Sequence, residues 1–281
     1  MKGKDQFRIS QRRSVRYVES MAISRVGFVL HAFCTRRDGI SKGSFRSLNV
    51  SACEGDSDLS VRRNLEMIAG AFALNPQQFL FVNQVHSDAV LVVDGTFATD
   101  LGKIAARSYD AVVTDQPGVA IGIRTADCVP LILVDPMKKV VGAVHAGWRG
   151  TALGVAARTV EELVNRFSSR PNDIQVSVGP AIGACCYEVD AGVYQAFAGM
   201  RDQHSFFRHC AESEKWMLDL PLANIAQLES RGVPRENISS TAFCTACRRD
   251  LFFSHRAEGG KTGRQLTFVM LKEERTMPKS S

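Results

Sequence analysis

Between Tyr109 and Gly147 four short apolar runs follow one another closely: "DAVVT", "VAIGIR", "VPLILVD" and "VVGAVHA". They are separated by Gln-Pro-Gly, by "TADC" and by Asp135-Pro136, breaker signals that leave no room for helices. This stretch predicts the core of a sheet, and everything else in the chain has to be arranged around it.

Upstream, "VGFVLHAFCT" predicts a first strand ending near Thr35, followed by the loop "RRDGISKGSFRSLNVS". Ser60 is positioned to cap a helix with Val61, Leu65, Ile68, Ala69 and Phe72 at helical spacing, stopped by Asn75-Pro76. "FLFVNQVHSDAVLVV" reads as one strand that puts Gln84 and His86 on a shared face. Downstream, Thr151 is expected to cap a helix with Leu153, Ala156, Val160, Leu163, Val164 and Phe167 on its buried stripe, before "IQVSVGP" returns to strand. Asp219 and Pro221 open a further helix that Gly232 ends, and "LTFVML" supplies the last strand. Strands and helices interleave without an internal repeat, so the class is α/β in the mixed (α+β) sense, in a single domain.

A net charge of +6 on 281 residues raises the question of nucleic acid. The first twenty residues hold Lys2, Lys4, Arg8, Arg12, Arg13 and Arg16 against Asp5 and Glu19, a net +4 that leaves little for the rest. Residues 1–22 therefore read as a basic, disordered tail, residues 23–272 as the catalytic domain and residues 273–281 as a C-terminal tail; no nucleic-acid partner is expected. No apolar run reaches the length of a membrane span and no export signal is present, which predicts a cytoplasmic protein with no membrane partner. In that compartment the eight cysteines are expected to be reduced.

His86, Cys128 and His145 each lie at or near the end of an apolar strand. A buried imidazole needs a partner, and taken singly each histidine is ordinarily a core residue bonded to a backbone carbonyl. Together the three offer two imidazoles and a thiolate, a set that binds zinc with the fourth position open, although separations of 42 and 17 residues are no metal spacing. In "HAGWRGT" the glycines allow a tight turn, and Arg149 adds a two-pronged donor suited to phosphate or carboxylate; a surface arginine in an ordinary turn is the plain alternative. Asp88 and Asp127 are candidate proton shuttles, although a surface or turn carboxylate is the commoner role for each. Cys244-x-x-Cys247 is a single pair that supports no structural zinc unless other thiols complete it in space, and the adjacent Cys185 and Cys186 are assigned to packing. "FFSHRAEGGKTGR" lacks the first glycine of a P-loop but sets His255, Arg256, Lys261 and Arg264 in a loop that could meet an anion.

The stretches "FCTRRDGISKGSFRSLNVS", "NQVHSD", "TADCVPLILVD", "GAVHAGWRGT", "GPAIGACCYEVD", "FCTAC" and "FFSHRAEGGKTGR", in this order, resemble the YfiH-like laccase-domain family, long labelled polyphenol oxidases. The resemblance implies a sandwich of two sheets between helices (αββα) and a zinc site of His86, Cys128 and His145. It implies phosphorolysis of adenosine, inosine and S-methyl-5'-thioadenosine together with deamination of adenosine, hence purine nucleoside and phosphate as partners. By position, Arg36, Asn49, Gln84, Arg149 and Arg256 are the implied substrate-binding residues. His255 and Ala257 depart from the tyrosine and second arginine common in that loop.

Other readings stay open at this level. Cys128 could be the nucleophile of a hydrolase or editing enzyme acting on a cell-wall precursor. The zinc could belong to a non-catalytic protein. Two histidines and a cysteine also bind copper in vitro, but a multicopper oxidase needs many more imidazoles than the six in this chain, which has no His-x-His pair. The H-x-E and P-C-x-x-C signature of the known zinc deaminases is absent. A monomer is the expected state.

Overall fold

A strand buried at every position needs cover on both of its faces, and Val129–Asp135 (β8) and Val140–Ala146 (β9) are buried throughout. The computed structural model, which describes residues 6–52, 55–95, 108–211 and 213–273, shows what covers them. They lie in the middle of a six-stranded sheet ordered β14-β10-β8-β9-β6-β5, with β14 Ile238–Ser240, β10 Gln175–Val178, β6 Ala111–Thr114 and β5 Val90–Val93. A second six-stranded sheet is ordered β1-β2-β3-β15-β7-β4, with β1 Phe7–Arg12, β2 Val15–Ser20, β3 Val29–Cys34, β15 Gln265–Leu271, β7 Ala120–Thr125 and β4 Phe79–Phe81. A small third sheet joins β11 (Glu188–Val189), β13 (Trp216–Leu218) and β12 (Phe207–His209).

The two-residue period of the strands distributes side chains among three cores. Ile132, Val134, Val141 and Ala143 of one sheet meet Phe33, Ile121, Ile123 and Val269 of the other. The alternate residues Leu131, Leu133 and Val144 turn outward onto Val160 and Leu163 of α4 (Val155–Phe167) and Leu228 of α6 (Leu220–Ser230). On the far side, Ala32, Leu266 and Phe268 pack on Ile68 and Ala69 of α2 (Asp58–Ala71). The order helix, sheet, sheet, helix is the expected αββα sandwich. Each fully buried aliphatic side chain in it contributes about 1.5–3 kcal/mol of transfer free energy. Three shorter α-helices complete the α-helices of the described residues: α1 (Met21–Ser24), α3 (Trp148–Leu153) and α5 (Ala191–Ala196). No helix among the described residues is long and apolar enough to cross a membrane.

Several local expectations are corrected. The N-terminal segment is no disordered tail from Phe7 onward: β1 pairs with β2 along its whole length, and β2 pairs with β3. The charge count masked a buried set of Val15, Tyr17 and Val18, while Arg8 pairs with Glu19 at 2.7 Å and Arg12 stacks on Phe72. Residues 1–5, and the expected C-terminal tail beyond Glu273, lie outside the described residues. Helix α2 begins after Ser57, not at Ser60, with Asp58 favourably placed in its first turn. Thr151 lies inside α3, whose N-cap is Gly147; left-handed Gly154 then breaks the helix, which leaves Leu153 60% exposed and off the buried stripe. Asp219 does accept the Leu222 N–H at 3.0 Å, and Gly232 follows the helix at a φ of 84°.

The largest correction concerns residues 79–93. They form two strands in different sheets, β4 and β5, joined by a crossover loop that carries Gln84 and His86. Strand pairing ends there because the Asp110 carboxylate takes over the backbone amides: it accepts N–H groups of Val85 (3.3 Å), His86 (3.0 Å) and Ser87 (2.6 Å). Gln84 and His86 therefore share a loop, not a strand face.

Candidate functional site

The sheet-to-sheet crossings bring His86, Cys128 and His145 together. β8 and β9 pair Pro130 with His145, so Cys128, just ahead of β8, falls beside Gly147 at the end of β9. The crossover loop delivers His86 from the other side. One donor atom from each lies within 4.8 Å of the others, with 3.7 Å between Cys128 Sγ and His86 Nε2. The two imidazole rings meet edge to face, their centroids 4.8 Å apart. His145 is buried, Cys128 half-buried and His86 exposed, so the trio opens to one side.

Asp110 organises this centre from beneath. Its carboxylate lies 2.8 Å from His145 Nδ1, and its carbonyl accepts the His145 backbone N–H at 2.7 Å. With Nδ1 engaged, Nε2 of His145 is the nitrogen left for the cluster, the arrangement by which a carboxylate behind a histidine fixes its tautomer and orients it toward a metal. Burial pushes the Asp110 carboxyl up, but the hydrogen bonds from His145 and Ser87 outweigh it and hold it down at about 2. Burial would likewise raise the Cys128 thiol; the charge and hydrogen bonds of His145 and His86 reverse this and favour thiolate. Burial alone would lower His145, and Cys128 and Asp110 together raise it.

The cluster suits a thiophilic, imidazole-binding ion, and its surroundings keep space for one. A Cβ on Gly147 would stand 2.5 Å from His86 Cδ2 and 3.1 Å from Cys128 Sγ. His86 and Asp127 both adopt left-handed backbone, φ 63° and 88°, a conformation that costs non-glycine residues on the order of 1 kcal/mol or more. Left-handed backbone at one donor, His86, and at the residue just before another, Asp127, marks a geometry that the surrounding fold has to hold.

Above the donors lies a cavity of about 790 Å³ whose walls include Gln84, Arg149 and Arg256, together with Arg124, Arg264, Tyr187, Trp148 and His255. Arg149 stacks on Trp148 at 4.3 Å, and Arg256 lies 5.1 Å over Tyr187 while donating to the Glu188 carbonyl. Four arginines around one opening make it attractive to anions. Gln84 spends its amide on the backbone of Arg124, with two bonds of 2.8 Å that imitate a strand pair.

Arg36 and Asn49 do not reach the cavity. Arg36 is paired with Glu258 at 2.7 Å and stacked on Phe253, and Glu258 in turn holds Ser254 and Thr262 of the glycine-rich loop. Asn49, fully buried, binds the backbone of Ser51 and Arg264, both of which line the cavity. Asn49 thus positions wall residues directly, and Arg36 braces the loop that carries the wall residues His255 and Arg256. Of the two shuttle candidates, Asp127 lines the cavity and accepts from Thr245 Oγ1 (2.6 Å) and the Arg256 N–H (2.7 Å), whereas Asp88 faces Arg158 outside it. Asp110, Arg124 and Tyr187 escaped the sequence reading: nothing in "YDAVVT", "GIRTAD" or "CCYEVD" separates them from ordinary strand-end residues.

Residues 30–272 match the family model described as multi-copper polyphenol oxidoreductase laccase. The chain is similar to a purine nucleoside phosphorylase YlmD of Geobacillus stearothermophilus, 38% identical over 86% of this chain and 90% of that protein. It is also 34% identical to a protein named adenosine deaminase RL5, from an unknown prokaryotic organism, over 86% of this chain and 94% of that one. Among solved structures it resembles the hypothetical protein YfiH of Bacillus licheniformis, with a TM-score of 0.87, 34% identity, and coverage of 95% of this chain and 100% of that one.

Proposed function

The chain belongs to the multi-copper polyphenol oxidoreductase laccase family, and from that premise we propose that it is a zinc-dependent purine nucleoside phosphorylase, acting on adenosine, inosine and S-methyl-5'-thioadenosine, with adenosine deamination as a second activity. Relatives named for each of the two reactions support the reading. The observation that carries it is the placement of His86, Cys128 and His145 on the floor of an arginine-lined cavity of nucleoside size.

In phosphorolysis a phosphate oxygen forms a bond to C1' while the C1'–N9 bond breaks and the purine leaves with the electron pair, taking up a proton. The step asks for cations around phosphate and a rigid seat for the nucleoside. Arg149, exposed at the cavity mouth, and Arg256, anchored on Tyr187 and the Glu188 carbonyl, supply the first. Because α3 is only six residues long, the anion contact rests on the Arg149 side chain more than on the helix end. Trp148 and Tyr187 offer flat faces for the purine. His86, Cys128 and His145 would hold zinc, which supplies Lewis acidity toward a substrate oxygen or water. Cys128 faces both imidazoles, which fits a ligand better than a free nucleophile.

The family description names copper oxidation, for which this chain offers little. Of the four remaining histidines, His31 is sealed between the sheets and only His255 reaches the cavity, and no second imidazole cluster assembles among the described residues. Incubating the purified protein with adenosine, with and without phosphate, tests the proposal. Adenine and ribose 1-phosphate are expected only with phosphate, and inosine in both; absence of all three products overturns it.

A further inference from the structure

Four cysteines outside the site just described meet in space. One Sγ from each of Cys185, Cys186, Cys244 and Cys247 lies within 4.8 Å of the others, with contacts of 3.4 Å from Cys186 and 3.6 Å from Cys185 to Cys247. All four are free thiols. A tetrahedral zinc ion with Zn–S bonds of about 2.3 Å sets its sulfurs roughly 3.8 Å apart, within this range. We infer that Cys185, Cys186, Cys244 and Cys247 form a second, closed zinc site, structural in role, that staples together two loops of the cavity wall.

The sequence assigned the adjacent pair to packing because neighbours on an extended chain point apart. Here the chain is not extended. The N–H groups of Cys186 (3.0 Å) and Tyr187 (3.1 Å) both bond the Gly183 carbonyl, and this turn brings both sulfurs to one side. In the second loop the Arg248 N–H closes on the Cys244 carbonyl at 2.9 Å, the kind of turn through which a C-x-x-C pair presents two sulfurs. An isolated bridge between Ala181 and Cys244, with the Thr245 N–H on the Ala181 carbonyl, holds the two turns side by side. The Gly183 N–H points at Cys244 Sγ at 3.3 Å, a donor that favours thiolate over thiol. Cys185 and Cys247 are exposed, so an ion can enter.

The staple bears on the cavity through its neighbours in the chain. Tyr187 follows Cys186 directly and lines the cavity, and Thr245, between the C-x-x-C cysteines, donates to Asp127. Opening the thiolate site would let both walls drift, which should raise KM for nucleoside more than it lowers kcat.

Elemental analysis of the full-length protein is the test. Wild type is expected to bind two zinc ions per chain, a His86→Ala/His145→Ala variant one, and a Cys185→Ser/Cys247→Ser variant one. Loaded with cobalt, the histidine variant should keep intense thiolate-to-cobalt charge-transfer absorption. If the cysteine variant fails to fold, iodoacetamide labelling of wild type decides: the four thiols should be protected with zinc and labelled after chelation. A single zinc in wild type lost with the histidine variant, labelling indifferent to zinc, or a Cys186–Cys247 disulfide in the freshly purified protein would overturn the inference, and none of these outcomes touches the nucleoside reaction.

Discussion

The Asp110 carboxylate lies 2.8 Å from Nδ1 of His145 while accepting three consecutive backbone amides, Val85 to Ser87, from the loop that carries His86. One buried side chain thus orients one imidazole of the proposed metal site and positions the other.

Asp110→Asn should therefore damage both. The amide leaves the His145 tautomer unenforced and sets an NH2 group against the loop amides. Zinc affinity is expected to fall about 10–100-fold, the usual cost of losing an outer-shell carboxylate. Competition with a fluorescent chelator measures it; unchanged affinity would remove Asp110 from the site.

Gly147→Ala tests the space between the donors. The new methyl group would overlap His86 Cδ2 and Cys128 Sγ, side-chain atoms that can yield only by leaving their positions. Bound zinc and nucleoside turnover should both drop at least tenfold while circular dichroism and the melting temperature change little.

Arg149→Ala should raise KM for phosphate by about tenfold or more and leave KM for adenosine nearly unchanged, because the charge-assisted contact it removes is worth about 1.5–3 kcal/mol. Steady-state kinetics with each substrate varied in turn separates the two. A larger effect on adenosine would move Arg149 to the purine side.

Stability should depend on pH through His31, which is outside the proposed metal site. Its Nε2 accepts the Ser20 N–H at 3.0 Å between the sheets, and burial depresses its pKa from 6.5 to about 4. The folded state therefore favours neutral His31, and the unfolded chain binds the extra proton between these values. Its contribution is fully present above pH 6.5 and is lost as pH falls toward 4, a change on the order of 3 kcal/mol. Urea unfolding of wild type and His31→Gln at pH 7 and pH 5 should show the variant losing less stability on acidification.

The amino-acid order alone determined the central strands from Ala111 to Ala146, the last strand, the Asp219 cap and the mixed α/β class, because these depend on local apolar period and turn chemistry, whereas the layering was implied only by family resemblance. The candidate donor set was also legible: His86, Cys128 and His145 stood out as candidate donors, and family resemblance joined them. Tertiary structure decided where the chain changes sheets. Phe79 to Val93 looks like one strand until the Asp110 carboxylate, absent from any local window, captures its amides and turns His86 toward the other donors. The same holds for Phe7 to Ser20, whose strand character shows only against its partners, and for the four cysteines, which lie up to 62 residues apart in the chain and meet through paired turns. Periodicity reports which face of an element is buried, but a metal site is a meeting of loop ends, and only the closed fold sets those distances.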